Sequence, residues 1–133
     1  LSLFKKIQIK RNRTYIFISH DLAMVRKSCN RIAVMYMGRT IELAKNEILF
    51  NKCGHPYTKT LLSTIPTLDK NPYDKNIYLM DGEPPDPTAI GNGCSFNSRC
   101  PNPTQECKEG TTEMKLIEVQ PGHWVDKCCV NCG

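Results

Sequence analysis

Two groups of residues in this chain have types and spacings that could carry chemistry. The first is a row of thiols: of eight Cys in 133 residues, six lie from Cys94 onward. Cys94, Cys100, Cys107 and Cys128 are separated by five, six and twenty residues, and four thiolates brought together hold a tetrahedral zinc or an iron–sulfur cluster. Cys129 and Cys132 are extra donors, and either could replace Cys128. A Cys129-x-x-Cys132 zinc half-site, disulfides and unligated thiols fit the same spacing. The second group is Ser19-His20-Asp21, three polar residues that end the apolar run Tyr15-Ile-Phe-Ile18. An imidazole titrating near neutrality can donate to a phosphate oxygen or pass a proton, and a capping or surface histidine is the plainer alternative. His55 and His123 each adjoin a turn residue and an aromatic one, which favours structural roles. Cys29 and Cys53 read as small buried thiols. Arg99, between two of the spaced cysteines, either donates to an anionic cluster or pairs with a local carboxylate.

For His20 to act, an element must present it. Residues 14–18 are rich in β-branched and aromatic side chains without polar alternation, which predicts a strand covered on both faces, as in parallel sheets. Open α/β sheets bind ligands beyond the carboxyl ends of such strands. Upstream, Leu1, Leu3, Phe4 and Ile7 recur at helical spacing and predict an amphipathic helix burying one face on that sheet, with residues 11–13 as the turn. Downstream, Leu22, Val25 and Cys29 predict a short helix. Residues 31–36 and 40–43 are β-type runs around Gly38, a hairpin signal because glycine accepts the positive φ of tight turns. Residues 44–51 read as one or two helical turns. Pro56 fits the first position of a further helix, with Tyr57, Leu61 and Leu62 on its buried side and Ile65-Pro66 closing it. Residues 66–93 are rich in Pro and Asp and lack regular periodicity outside 77–80, which predicts a linker or arm.

Eighteen Lys and Arg against thirteen Asp and Glu leave a formal charge of +5, and five of the basic residues fall within 5–13. That cluster reads as a solvated helix face and turn. It lacks the interleaved aromatics of a nucleic-acid surface, so no nucleic-acid partner is expected. The longest apolar run, residues 32–37, is far too short to span a bilayer, and no basic-then-apolar segment opens the chain, so a soluble protein is expected. The predicted interior strand needs parallel neighbours that the remaining sequence hardly supplies, which leads to the expectation of a fragment.

Thr14-Tyr-Ile-Phe-Ile-Ser-His-Asp21-Leu-Ala-Met-Val25, followed by Arg31-Ile-Ala-Val-Met-Tyr-Met-Gly38-Arg, closely resembles the switch-histidine region of ABC-transporter ATP-binding subunits. Gly54-His55-Pro56-Tyr57-Thr58-Lys59 and Cys94-x-Phe96-x-x-Arg99-Cys100-Pro101 are similar to the C-terminal extension of oligopeptide and dipeptide importer ATPases. The resemblance covers nearly the whole chain. It implies an α/β fold: the C-terminal fragment of an ABC-type, P-loop NTPase-like nucleotide-binding domain over residues 1–65, an arm over 66–93, and a small irregular Cys-rich extension over 94–133.

By the same resemblance His20 is the switch histidine, contacting the ATP γ-phosphate and helping to position the attacking water, a donor placed where charge develops. ATP with Mg²⁺ would be held mainly by residues this sequence lacks. It contains no Gly-x-x-x-x-Gly-Lys-Ser/Thr loop, no Leu-Ser-Gly-Gly-Gln signature and no acidic residue ending an upstream apolar strand, so the chain alone is expected not to hydrolyse ATP. The resemblance also implies a 4Fe–4S cluster on Cys94, Cys100, Cys107 and Cys128, with zinc as the alternative. The family usually has three residues between its Gly-His and the last Cys, whereas four separate His123 from Cys128. Such a centre would be structural, a metal supplying folding free energy on the order of ten kcal/mol in zinc sites. The implied partners are a second ATP-binding subunit, transmembrane permease subunits and, indirectly, a substrate-binding protein, with the chain cytoplasmic and peripheral on the inner face of the membrane. The rival reading is a non-enzymatic metal-binding module or an inert truncated remnant.

Overall fold

The computed structural model describes residues 2–65, 83, 85, 86, 88 and 92–130. Most of the predicted arm, including residues 77–80, and Cys132 lie outside them. The chain opens with α1 (Ser2–Arg11), and Asn12, at φ 47°, ends it in the left-handed region. After an irregular stretch comes α2 (Leu22–Ser28), capped by Asp21, whose carboxylate accepts from the Met24 N–H at 3.0 Å. β1 (Arg31–Tyr36) and β2 (Arg39–Lys45) form the expected antiparallel hairpin. Its two turn residues, Met37 and Gly38, both have positive φ, 47° and 77°. That is the twist-matched turn for which glycine is suited.

Two helices follow, α3 (Asn46–Lys52) and α4 (Pro56–Ser63), with Pro56 at the first turn as its missing N–H predicts. Farther on are a 3₁₀ turn at Asn97–Arg99, α5 (Gln105–Glu109), β3 (Leu116–Gln120), β4 (His123–Asp126) and a second 3₁₀ turn at Lys127–Cys129. β3 and β4 form a second hairpin, and β4 pairs with β2, giving one antiparallel sheet in the order β1-β2-β4-β3. The residues before and after the arm thus share a sheet. This hairpin was not anticipated from sequence, because residues 116–126 alternate weakly and contain Glu118, Gln120 and a Pro-Gly turn.

One face of the sheet is the core. Ile32, Val34 and Tyr36 alternate inward on β1, and they cluster with Ala44, Leu49, Phe50, Leu62, Phe96 and Val125. Burying a side chain of this size contributes roughly 1.5–3 kcal/mol, and the cluster draws on both hairpins.

Two expectations need correction. Residues 14–18 form no strand, and Ile16 and Ile18 are 92% and 95% exposed. A strand needs a neighbour to take its backbone hydrogen bonds, and none of the four strands among the described residues pairs with this stretch. The helix before it forms but does not bury a face on the sheet: Leu3, Phe4 and Ile9 are exposed, and Phe4 meets Tyr15 edge to face, with ring centroids 5.9 Å apart. The fold described is a small mixed helix-and-sheet unit whose sheet is antiparallel.

Candidate functional site

The best-ordered polar arrangement is built on Gly54-His55-Pro56-Tyr57. Glu42 projects from β2 onto the buried face and is completely inaccessible. Its carboxylate accepts from the Gly54 N–H at 2.7 Å, from the His55 N–H at 3.1 Å and from His123 Nε2 on β4 at 2.7 Å. Gln120 lies 3.2 Å from His123 Nδ1 and donates its amide there, which leaves the ring proton on Nε2 to reach Glu42. A buried carboxylate is tolerable only with such donors. Here they tie together three segments distant in sequence.

His55 then starts α4. Its Nδ1 accepts from the Tyr57 N–H at 3.1 Å, so the imidazole does the work that Ser or Asp does at most helix starts. The ring is fully buried, and burial, with Lys59 nearby, lowers its pKa from 6.5 to about 4; it is therefore neutral. Its Nε2 has no hydrogen-bond partner. The Tyr57 ring packs at a tilt against Tyr36, centroids 4.7 Å apart, and sits 5.8 Å from Phe96, which also meets Tyr36 and His55. Each residue of the motif therefore has a mechanical role. Gly54 is needed because a Cβ there would lie 2.8 Å from Val125 Cγ2.

His20 is exposed, in a bend at the start of α2. Its neighbours build that start: Ser19 Oγ accepts from the Asp21 N–H at 3.0 Å, and Asp21 is the cap. The two residues beside His20 are thus occupied locally, and the imidazole faces outward.

The four spaced cysteines are not gathered into one centre. Cys94 and Cys128 are both buried, and Cys128 Sγ lies 3.7 Å from Cys129 Sγ. The neighbouring Cys128 thiol and burial push Cys94 well above the ordinary range, and the Cys129 thiol and burial do the same to Cys128 against the opposing pull of Cys94. Cys107 instead accepts from Thr104 Oγ1 at 3.1 Å and Thr112 Oγ1 at 3.7 Å. Among the described residues no group of three or more His, Cys, Asp or Glu side chains is placed to hold a metal ion. Hydroxyl donors to a sulfur are compatible with a thiolate ligand, so the two threonines leave Cys107 able to serve in the expected set of Cys94, Cys100, Cys107 and Cys128. Beside the thiols, Asp126 is buried with no hydrogen bond to either oxygen; Arg39 lies 3.5 Å away. Burial pushes its carboxyl up to about 6 against the opposing pull of Arg39.

Glu42 and Asp126 escaped the sequence reading. The only signal was an acidic residue within an apolar strand, and in a half-exposed hairpin such a residue ordinarily faces water.

Residues 41–107 match the model of the family described as "Oligopeptide/dipeptide transporter, C-terminal region". The chain belongs to this family. The match begins on β2 beside Glu42, includes the Gly54–Tyr57 turn and ends at Cys107. The chain is 40% identical over 126 residues to YkfD of Bacillus subtilis, provisionally named an oligopeptide transport ATP-binding protein, covering 94% of this chain and 38% of the relative. It is 39% identical over 126 residues to the oligopeptide transport ATP-binding protein AppF of the same organism, again 94% and 38%. With the di/tripeptide transport ATP-binding protein DppF of Pseudomonas aeruginosa it shares 37% over 118 residues, 89% of this chain and 36% of the relative. The chain spans less than two fifths of the length of these relatives. No helix among the described residues is long and apolar enough to cross a membrane.

Proposed function

We propose that this chain is the C-terminal portion of the ATP-binding subunit of a peptide-importing ABC transporter. The observation that carries the reading is the family match over residues 41–107, joined to relatives named for ATP binding and peptide transport along 89% to 94% of the chain. In this reading residues 1–65 complete a P-loop nucleotide-binding domain and residues 66–133 form its arm and extension. ATP and Mg²⁺ are held mainly by upstream residues, and His20 donates to the γ-phosphate. The exposed imidazole at a helix start is compatible with that role, since a donor to a phosphate brought by another segment must face outward. Two such subunits closing on ATP would drive the transmembrane permease subunits, from a cytoplasmic position on the inner face of the membrane, with a substrate-binding protein delivering peptide. The chain alone hydrolyses no ATP.

A 4Fe–4S cluster or zinc on Cys94, Cys100, Cys107 and Cys128 would be a structural centre of the extension, supplying folding free energy. Iron, sulfide and zinc analysis of anaerobically purified protein tests it.

The functional test is a chimera in which this chain replaces the matched segment of AppF. It should hydrolyse ATP, and His20→Ala should lower the rate at least about 100-fold, the scale of removing one transition-state donor. A chimera that folds but binds no ATP would overturn the subunit reading, and a fully active His20→Ala chimera would overturn the role of His20.

A further inference from the structure

His20 is tied to the rest of the protein through α2. Ser19 and Asp21 on either side of it are hydrogen-bonded into the start of that helix, so the imidazole goes where the helix goes. α2 has seven residues, of which Val25 is buried and Leu22 is half-buried against the core. So small a contact fixes where the helix lies more firmly than how it tilts. Its far end is held by Asn46, the first residue of α3. Asn46 Nδ2 donates to the Cys29 carbonyl at 2.6 Å and to the Arg26 carbonyl at 2.8 Å, and the Asn46 N–H donates to the Asn30 carbonyl at 2.9 Å. The last carbonyls of a helix have no partner within it, and here one side-chain amide from a different element takes two of those at the α2 end. One turn farther along α3, Phe50 carries the Arg26 guanidinium over its ring, 5.2 Å from the centroid. α3 thus grips the same end of α2 twice.

We propose that Asn46 is a positioning residue for His20: by fastening the end of α2 to α3, it sets the angle at which the helix start presents the imidazole to the γ-phosphate. The proposal rests on the role given to His20 above. A helix of this length spans roughly 10 Å, so a tilt about Val25 that displaces the last turn displaces the first by a similar distance. Misplacing a reacting group by about 1 Å costs on the order of 100-fold in rate.

The test is ATP hydrolysis by the AppF chimera, read as separate kcat and KM values. Asn46→Ala should lower kcat about 10-fold with KM for ATP within about twofold of the unsubstituted value. In a His20→Ala background it should cause no further loss, because two residues that act through one contact are not additive. Asn46→Asp removes the donor but places a carboxylate favourably in the first turn of α3, and it should match Asn46→Ala. Asn51→Ala, which removes an amide bonded within α3 to the Glu47 carbonyl at 2.8 Å, should leave kcat unchanged. Amide hydrogen exchange in this chain reads the clamp without ATP: Asn46→Ala should speed exchange at residues 25–29 and leave β1 and β2 as they were. Full activity of the Asn46→Ala chimera, equal fold losses in the two backgrounds, or unchanged exchange in α2 overturns the positioning role alone. An unsubstituted chimera that hydrolyses no ATP overturns the subunit reading and this proposal together.

Discussion

Three hydrogen bonds converge on the Glu42 carboxylate. Truncating it to Ala leaves the Gly54 and His55 amides and His123 Nε2 without their acceptor inside the protein, each at about 1–3 kcal/mol. Glu42→Ala should therefore lose at least about 3 kcal/mol in urea unfolding, and Glu42→Gln, which keeps one acceptor oxygen, should lose less. His55 makes the same region sensitive to acid. Its folded pKa of about 4 lies below the ordinary 6.5, so the unfolded chain binds more protons between those values. The stability from keeping it neutral is intact above 6.5 and is lost as pH falls toward 4, by about 3 kcal/mol in all. Asp126, raised to about 6, has the opposite sign: its contribution is lost as pH rises from about 4 to 6. The two oppose each other in the unsubstituted chain. In Asp126→Asn stability should climb from pH 4 to pH 6.5. In His55→Asn, where asparagine can still cap the helix, it should decline over pH 4 to 6; equilibrium unfolding across that range checks both.

At the scale of elements, the Gly54–Tyr57 turn acts as a hinge pin between β2, β4 and α4. Because the turn passes directly over Val125, Gly54→Ala places a methyl 2.8 Å from a branched side chain on the central strand pair. Overpacking of this kind costs about 1–3 kcal/mol. Thermal unfolding should show the loss, and Val125→Ala in the same chain should restore part of it by vacating the space. The β1–β2 hairpin and the α4 start were legible in sequence because each depends on local rules: positive φ at Gly38, and a proline without a donor at the first helical position. The β3–β4 hairpin was not, because its strands alternate weakly and β4 is held on its other side by β2, far away in the chain. Glu42 opposite Val125 and Ala44 opposite His123 are pairings across about 80 residues.

At the scale of the whole molecule, the apolar surface around residues 15–18 remains uncovered, with Ile16 and Ile18 fully open to solvent. If the chain completes a larger nucleotide-binding domain, that stretch becomes an interior strand. Ile16→Cys should then react with a thiol reagent at the rate of a free peptide in this chain, and at least about 100-fold more slowly in the AppF chimera. Equal rates in the two contexts would show that the segment stays outside the sheet.

The sequence by itself determined what is decided locally or carried in motifs: the first hairpin, the helix starts, the exposed basic face of α1, and the family, through Gly54-His55-Pro56-Tyr57. Only the tertiary structure decided which polar groups meet. It carried Glu42 to His123, left residues 14–18 without a partner strand, and gave the Cys107 sulfur the hydroxyls of Thr104 and Thr112. A spacing records how far apart residues lie along the chain, and the contacts that give a thiol or a carboxylate its chemistry come from segments the spacing does not connect.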